Sequence, residues 1–245
     1  MKRYKLTLEY DGSDYVGWQR QDNGLSIQSV LEDAARCFTG EDIVVHGAGR
    51  TDAGVHALGQ VAHIDIRQDR RPDTVLDALN HFLREVPVVV LDVELVDDDF
   101  HARFSATGRH YRYRILNRRP RPATTRGYVW WVPMLLDVEA MQDATRELVG
   151  EHDFTSFRAT LCQAKSPVKT LDRLDVFRDG EEIVVEASAR SFLHHQVRNL
   201  VGTLELVGKG RWTRQDVADA RDARQRAAGG PTAPAHGLYL VRVDY

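Results

Sequence analysis

Apolar and polar residues alternate from Lys2 to Tyr10, with Tyr4, Leu6, Leu8 and Tyr10 falling on one face, and this period of two predicts a half-buried strand. Asp11-Gly12-Ser13-Asp14 then breaks the pattern as a turn. From Ile27 to Phe38 the period changes: Ile27, Val30, Leu31, Ala34, Ala35 and Phe38 are three or four apart, the stripe of an amphipathic helix. Ser26 stands where an N-cap is needed and Gly40 where the helix must stop. A strand over Ile43–His46, a glycine-rich loop, a strand from Gln60 to Ile66, a helix from Pro72 to Arg84 and a buried strand over Val88–Val96 complete this part. The order strand, helix, strand, strand, helix, strand predicts two helices on one face of a mainly antiparallel sheet.

Beyond Phe100, alternation over Ser105–Leu116 predicts a long strand carrying Tyr111, Tyr113 and Ile115 on one side and Arg112 and Arg114 on the other. A helix over Asp137–Val149 follows, then strands Leu171–Phe177 and Ile183–Ala189 around the Asp179-Gly180 turn. Helices are expected over Phe192–Val207 and Arg214–Arg224, the second a charged surface element, and a last strand over Gly237–Val243. The expected fold is α+β, with two similar halves, residues 1–104 and 105–245, and a ligand cleft between them.

Composition narrows the setting. With 245 residues, 42% of them hydrophobic, the chain can build substantial cores. It holds nothing like the run of about 20 apolar residues that spans a bilayer, and Met1-Lys2-Arg3 leads into a strand rather than an apolar signal segment, so a cytoplasmic protein with no membrane partner is expected. Cys37 and Cys162 form no metal-binding spacing. A net charge of −3 argues against a protein that coats nucleic acid indiscriminately. Charge is uneven, however: Asp97, Asp98 and Asp99 are consecutive, whereas Arg109 to Arg126 holds seven arginines and no acid, a candidate phosphate-facing strip.

The stretch Gly47 to His56, GAGRTDAGVH, sets Asp52 two positions after Arg50 among Gly47, Gly49 and Gly54. Aspartates in glycine-rich turns often only accept backbone hydrogen bonds, but an arginine and three glycines suit a displayed carboxylate. A phosphate cradle is excluded by the pattern GxGxxD and by the acid at its centre, and no second acid accompanies Asp52 to hold magnesium. In SFLHHQVRNLVG, His194 and His195 on a helix would point about 100° apart and could not share one ion. Arg198 among Leu193, Val197, Leu200 and Val201 calls for an acidic partner or is a plain surface salt bridge. Tyr111 and Tyr113 interleaved with arginines fit RNA stacking or an ordinary core, and Trp18 and Trp130-Trp131 are equally open.

Together, YDGSDYVGWQRQ with SIQSVLEDA, AGRTDAGVHALGQVAH, RFSATGRHYRYRIL, GEHDFTSFRA, SFLHHQVRNLVG and GLYLVRVDY resemble, in order and along essentially the whole chain, the tRNA pseudouridine synthase A family. The resemblance implies the pseudouridine synthase fold and an isomerase that detaches uracil from ribose, turns it and rejoins it through C5, at positions 38–40 of the tRNA anticodon arm. It implies Asp52 as catalytic residue, Tyr111 against the uracil, Arg198 paired with the acid, Leu238 lining the pocket, and a homodimer. Arg50 joins them as a candidate phosphate contact. Positive character at C1′ during glycosidic cleavage gives one ionised carboxylate a role as stabiliser, nucleophile or base. Because the reaction adds neither atoms nor electrons, no cofactor and no metal are expected. A non-catalytic RNA-binding module and a metal-free nucleosidase are the alternatives, distinguished by the absence of any isomerised product and by release of free uracil respectively.

Overall fold

Tyr4, Leu6, Leu8 and Tyr10 are all buried along strand β1 (Lys2–Tyr10), as their alternation requires, while Glu9 and its face turn outward. The computed structural model describes residues 1–245, which fall into two units, Met1–Thr107 with Tyr239–Tyr245, and Gly108–Leu238. In the first, β1 lies between β3 (His56–Ile66) and β4 (Val88–Val96), antiparallel to both, and the short β2 (His46–Gly47) pairs with the far side of β3. The end of the chain returns here: in β11 (Leu238–Asp244), Tyr239 and Leu240 pair in parallel with His56 and Ala57. Helix α1 (Ile27–Thr39) packs on α2 (Pro72–Leu83) and buries Ile27, Leu31, Ala34 and Ala35. Ser26 and Ser29 cap α1 reciprocally, and Gly40 closes it in the left-handed region at φ 73°.

The second unit is built on β5 (Gly108–Leu116), β10 (Glu182–Ala189) and β9 (Arg173–Asp179), all antiparallel, with β6 (Trp130–Trp131) parallel to the end of β5. Tyr113 and Ile115 are fully buried, and across the strand Arg112 pairs with Glu186 and Arg114 with Glu182. Helix α3 (Val138–Ala144) packs on α4 (Gln196–Gly208), and α5 (Arg214–Ala223) docks through Arg214 and Arg221 on Glu147. Inside α4, Asn199 donates to the Phe157 carbonyl at 2.9 Å and accepts from the Thr232 hydroxyl at 2.6 Å.

Several elements depart from the sequence pattern for identifiable reasons. Ile43–Val45 is not a strand, and at Val45 the buried Glu32 carboxylate accepts the N–H while Gln28 donates to the carbonyl, taking both groups a ladder would use there. The strand expected from Ser105 starts at Gly108, since Ser105 closes a turn on His101 through both its backbone N–H and its hydroxyl. Asp137 caps α3 through the Ala140 N–H, and the helix gives way after Ala144 to a 3-10 turn over Thr145–Glu147. The strand expected over Leu171–Phe177 is two: β8 (Val168–Leu171) pairs with β7 (Gly150–Asp153) as a separate ribbon, and Asp172 separates it from β9. The helix expected from Phe192 begins at Gln196, because the Gln196 side chain accepts the Leu193 N–H and His195 sits in the left-handed region at φ 63°.

Under the turn at residues 100–105, His63 is buried with its Nδ1 accepting the Ala102 N–H at 3.1 Å. Burial, then the neighbouring His46, Arg3 and His101, lower it from 6.5 to about 4, with Asp65 opposing. The unfolded chain therefore binds a proton that the folded one refuses between those two values, so stability falls as pH drops from 6.5 toward 4. Urea midpoints measured across that range are expected to decline, and to decline less steeply in His63→Asn, whatever its stability at neutral pH.

Candidate active site

Asp52 lies in the loop between β2 and β3, and its main chain is held from two directions. The Trp18 N–H donates to the Thr51 carbonyl at 3.0 Å, and Gly17 pairs with Asp52 as an isolated antiparallel bridge. The Val55 N–H donates to the Asp52 carbonyl at 3.1 Å, closing a turn around the acid. Gly17 is obligatory here: its φ is +107°, and a Cβ would stand 2.6 Å from the Thr51 oxygen. The same two residues serve α1, whose first free N–H groups, on Ile27 and Gln28, donate to the carbonyls of Gly17 and Trp18. Helix entrance and acid loop are thus joined through one short piece of backbone, and the Asp52 side chain is left half-buried.

Beneath the loop lies a buried polar group that the sequence did not single out. The hydroxyls of Tyr10 and Thr51 meet at 2.8 Å, and Gln60, fully buried at the inner end of the loop, donates to the Gly49 carbonyl at 2.9 Å. Burial pushes the Tyr10 hydroxyl up to about 12 against the opposing hydrogen bonds from Thr51 and Gln60, so the support under Asp52 stays uncharged. Of the three glycines in the motif, Gly47 is required by the Trp18 ring, 2.5 Å from where its Cβ would be, and Gly54 by its φ of +76°. A Cβ at Gly49 would meet nothing within 4 Å, so no neighbour within the protein requires a glycine there. On the other flank the buried His56 ring stacks on Tyr239 with centroids 4.8 Å apart and accepts the Gly12 N–H at Nδ1. Arg50 is exposed.

The other candidates belong to the second unit. Tyr111 is half-buried on β5, its ring meeting Phe192 edge-on at 5.1 Å. Tyr113, on the same face, is core: it donates to the Pro234 carbonyl at 2.7 Å, and burial raises its hydroxyl far above the ordinary range despite the nearby Arg198. The two tyrosines thus take different roles, one partly accessible and one structural. Arg198, in the first turn of α4, donates through Nε to the Ala233 carbonyl at 2.8 Å, while its own carbonyl accepts the Ala233 N–H. These two hydrogen bonds tie Arg198 to the segment that leads through Gly237 to the buried Leu238 at the head of β11.

Two sequence arguments need correction. His194 and His195 precede α4 instead of lying on it, and their rings are packed with centroids 4.0 Å apart, so the helical spacing that set them apart does not apply. Nor is the arginine-rich segment uniformly phosphate-facing: Arg109 is buried and donates to the Arg190 carbonyl, and Arg112, Arg114 and Arg118 are ion-paired with Glu186, Glu182 and Glu181. A half-buried carboxylate fixed through its main chain, over an uncharged base, can stabilise a developing cation, attack it or take a proton.

Residues 7–105 and 144–245 match the tRNA pseudouridine synthase family. Proteins named tRNA pseudouridine synthase A from Rhodospirillum centenum, Paramagnetospirillum magneticum and Rhodopseudomonas palustris are 61%, 60% and 60% identical to the chain over all 245 of its residues. These alignments cover 100%, 96% and 100% of the three relatives.

The clamp on Thr51 and Asp52 makes Gly17 a sensitive position. Gly17→Ala is expected to cost about 1–3 kcal/mol of stability through overpacking and positive-φ strain, read as a lower urea midpoint at unchanged slope.

Proposed function

The chain belongs to the tRNA pseudouridine synthase family, and on that footing we propose that it converts uridine to pseudouridine at positions 38–40 of the tRNA anticodon arm, with Asp52 as the catalytic carboxylate. It is an isomerase of tRNA uridine. The N1–C1′ bond breaks, the uracil turns, and a C5–C1′ bond forms as the C5 proton leaves and N1 gains one. Asp52 is the group that answers the positive character at C1′, as stabiliser, nucleophile or base. The observation that carries this role is the main-chain clamp at Gly17, Thr51 and Val55, which fixes the backbone of the acid of RTDAGVH from two directions.

Tyr111 offers a partly accessible ring face against which uracil can turn, Leu238 supplies an apolar flank, and Arg198 pairs with the carboxylate. Arg50, exposed two residues before the acid, takes an RNA phosphate. A uridine in a stem leaves the stack first, at a cost of a few kcal/mol offset by pocket stacking and phosphate contacts. No helix is long and apolar enough to cross a membrane. The protein acts in the cytoplasm as a homodimer, a second copy enlarging the surface offered to a tRNA.

Incubating an anticodon-arm RNA with wild type and with Asp52→Asn, then mapping pseudouridine by base-specific derivatisation, tests the assignment. Wild type should isomerise uridines at the three positions, and Asp52→Asn should lose activity by on the order of 10³-fold or more while still binding the RNA. Ordinary turnover by Asp52→Asn would remove the carboxylate from the mechanism, and free uracil as product would make the enzyme a nucleosidase.

A further inference from the structure

Past the end of β5 the chain makes a long excursion before returning as β6, and this excursion is closed at its base. Ile115 and Leu116 pair with Trp130 and Trp131, the buried Asn117 side chain donates to the carbonyls of Val132 and Met134, and the Trp131 indole N–H donates to the Arg118 carbonyl at 2.9 Å. Such a loop, with joined ends and internal ties, forms a defined surface feature.

Its charges differ in kind from those on the strand behind it. Arg112, Arg114 and Arg118 each meet a glutamate, whereas Arg119, Arg121 and Arg126 are exposed and form no ion pair. From Gly108 to Leu136 the sequence contains no acid at all. Beside these arginines, Tyr128 is 38% and Trp131 37% exposed, and Met134 and Leu135 continue the apolar surface. Unneutralised guanidinium groups next to accessible aromatic rings match RNA: the first bind phosphates and the second take stacked bases.

We propose that the loop Arg119–Trp131 is a second RNA-docking site, binding tRNA phosphates through Arg119, Arg121 and Arg126 and an unpaired base against Trp131 or Tyr128. It rests on the reading of the chain as a tRNA-modifying enzyme. Leu116, where the loop begins, lies five strand residues beyond Tyr111, ~17 Å at a strand's rise. The loop therefore engages RNA away from the uridine undergoing reaction, and its contribution is to affinity and placement of the substrate rather than to the chemical step.

The test compares the full chain with the triple variant Arg119→Ala, Arg121→Ala, Arg126→Ala, and with a control triple of equal charge change, Arg67→Ala, Arg71→Ala, Arg84→Ala, whose arginines are each ion-paired. Binding of unmodified full-length tRNA is measured as a function of salt, together with pseudouridine formation at saturating tRNA and the oligomeric state of each protein. The loop variant is expected to bind at least ~10-fold more weakly at low salt, with the slope of log K against log salt shallower by ~2, as loss of three phosphate contacts to unpaired RNA requires. Its kcat should be that of wild type, and the control triple should change the slope little. Unchanged affinity and slope, or an equal loss in the control, would overturn the proposal. A changed oligomeric state with unaltered tRNA affinity would assign the loop to a contact between copies of the chain and overturn it as well. If wild type bound tRNA yet formed no pseudouridine, the enzymatic reading would fail while the slope comparison still decided the docking site.

Discussion

The Gly17–Trp18 backbone lies against Thr51 and Asp52 so closely that a side chain at position 17 would meet the Thr51 oxygen at 2.6 Å. Three parts of the first unit meet at this contact. The turn after β1 supplies the two residues, the start of α1 places its first N–H groups on their carbonyls, and the acid loop leans on their other side. A helix entrance has donors that must be satisfied, and here the satisfying carbonyls belong to the segment that also holds the acid. The position of Asp52 is thereby coupled to the packing of α1, and through α1 to the apolar stripe of Ile27, Leu31, Ala34 and Ala35.

The polar groups buried around this contact are arranged so that ionisation is confined. Tyr10, Thr51 and Gln60 satisfy one another and the loop backbone while carrying no charge, since burial holds the Tyr10 hydroxyl protonated to about 12. Glu32, buried on α1, is paired with the exposed Arg20 and also accepts the Val45 N–H, so its charge is met within its own neighbourhood. In a low-dielectric setting an unpaired buried charge near the loop would shift the electrostatics of any carboxylate chemistry there. The polar support under the Asp52 loop therefore adds no charge of its own.

Residues whose fate is set by local periodicity were legible in the sequence. The β1 face, the α1 stripe with Ser26 and Gly40 at its ends, and the buried face of β5 all follow from spacing and capping chemistry. What was not legible depends on side chains that reach across the fold to backbone groups. Glu32 and Gln28 take the Val45 hydrogen bonds that a strand ahead of His46 would use, and Gln196 turns SFLH away from a helix; neither event has a signature within the segment it changes. At the site, Asp52 was visible because glycines and an arginine surround it in sequence. Tyr10 and Gln60 were not, being an ordinary strand aromatic and an ordinary amide until the loop is folded over them.

The arginines after residue 108 show how one residue type acquires different roles from strand register alone. On β5, Arg112 and Arg114 lie on the face where β10 presents Glu186 and Glu182, so their charge is neutralised within the sheet. Where β5 ends, the register ends with it; Arg118 still reaches Glu181 at the β9–β10 turn, but Arg119, Arg121 and Arg126 lie beyond any acid the hairpin supplies. A chain of net charge −3 can therefore carry a locally positive surface without being basic overall. Non-specific attraction to nucleic acid scales with how many phosphates a surface neutralises, so a few arginines without ion pairs on one loop confine attraction to one part of the molecule. Confinement of that kind favours a shaped polyanion that fits the loop over one that only matches its charge.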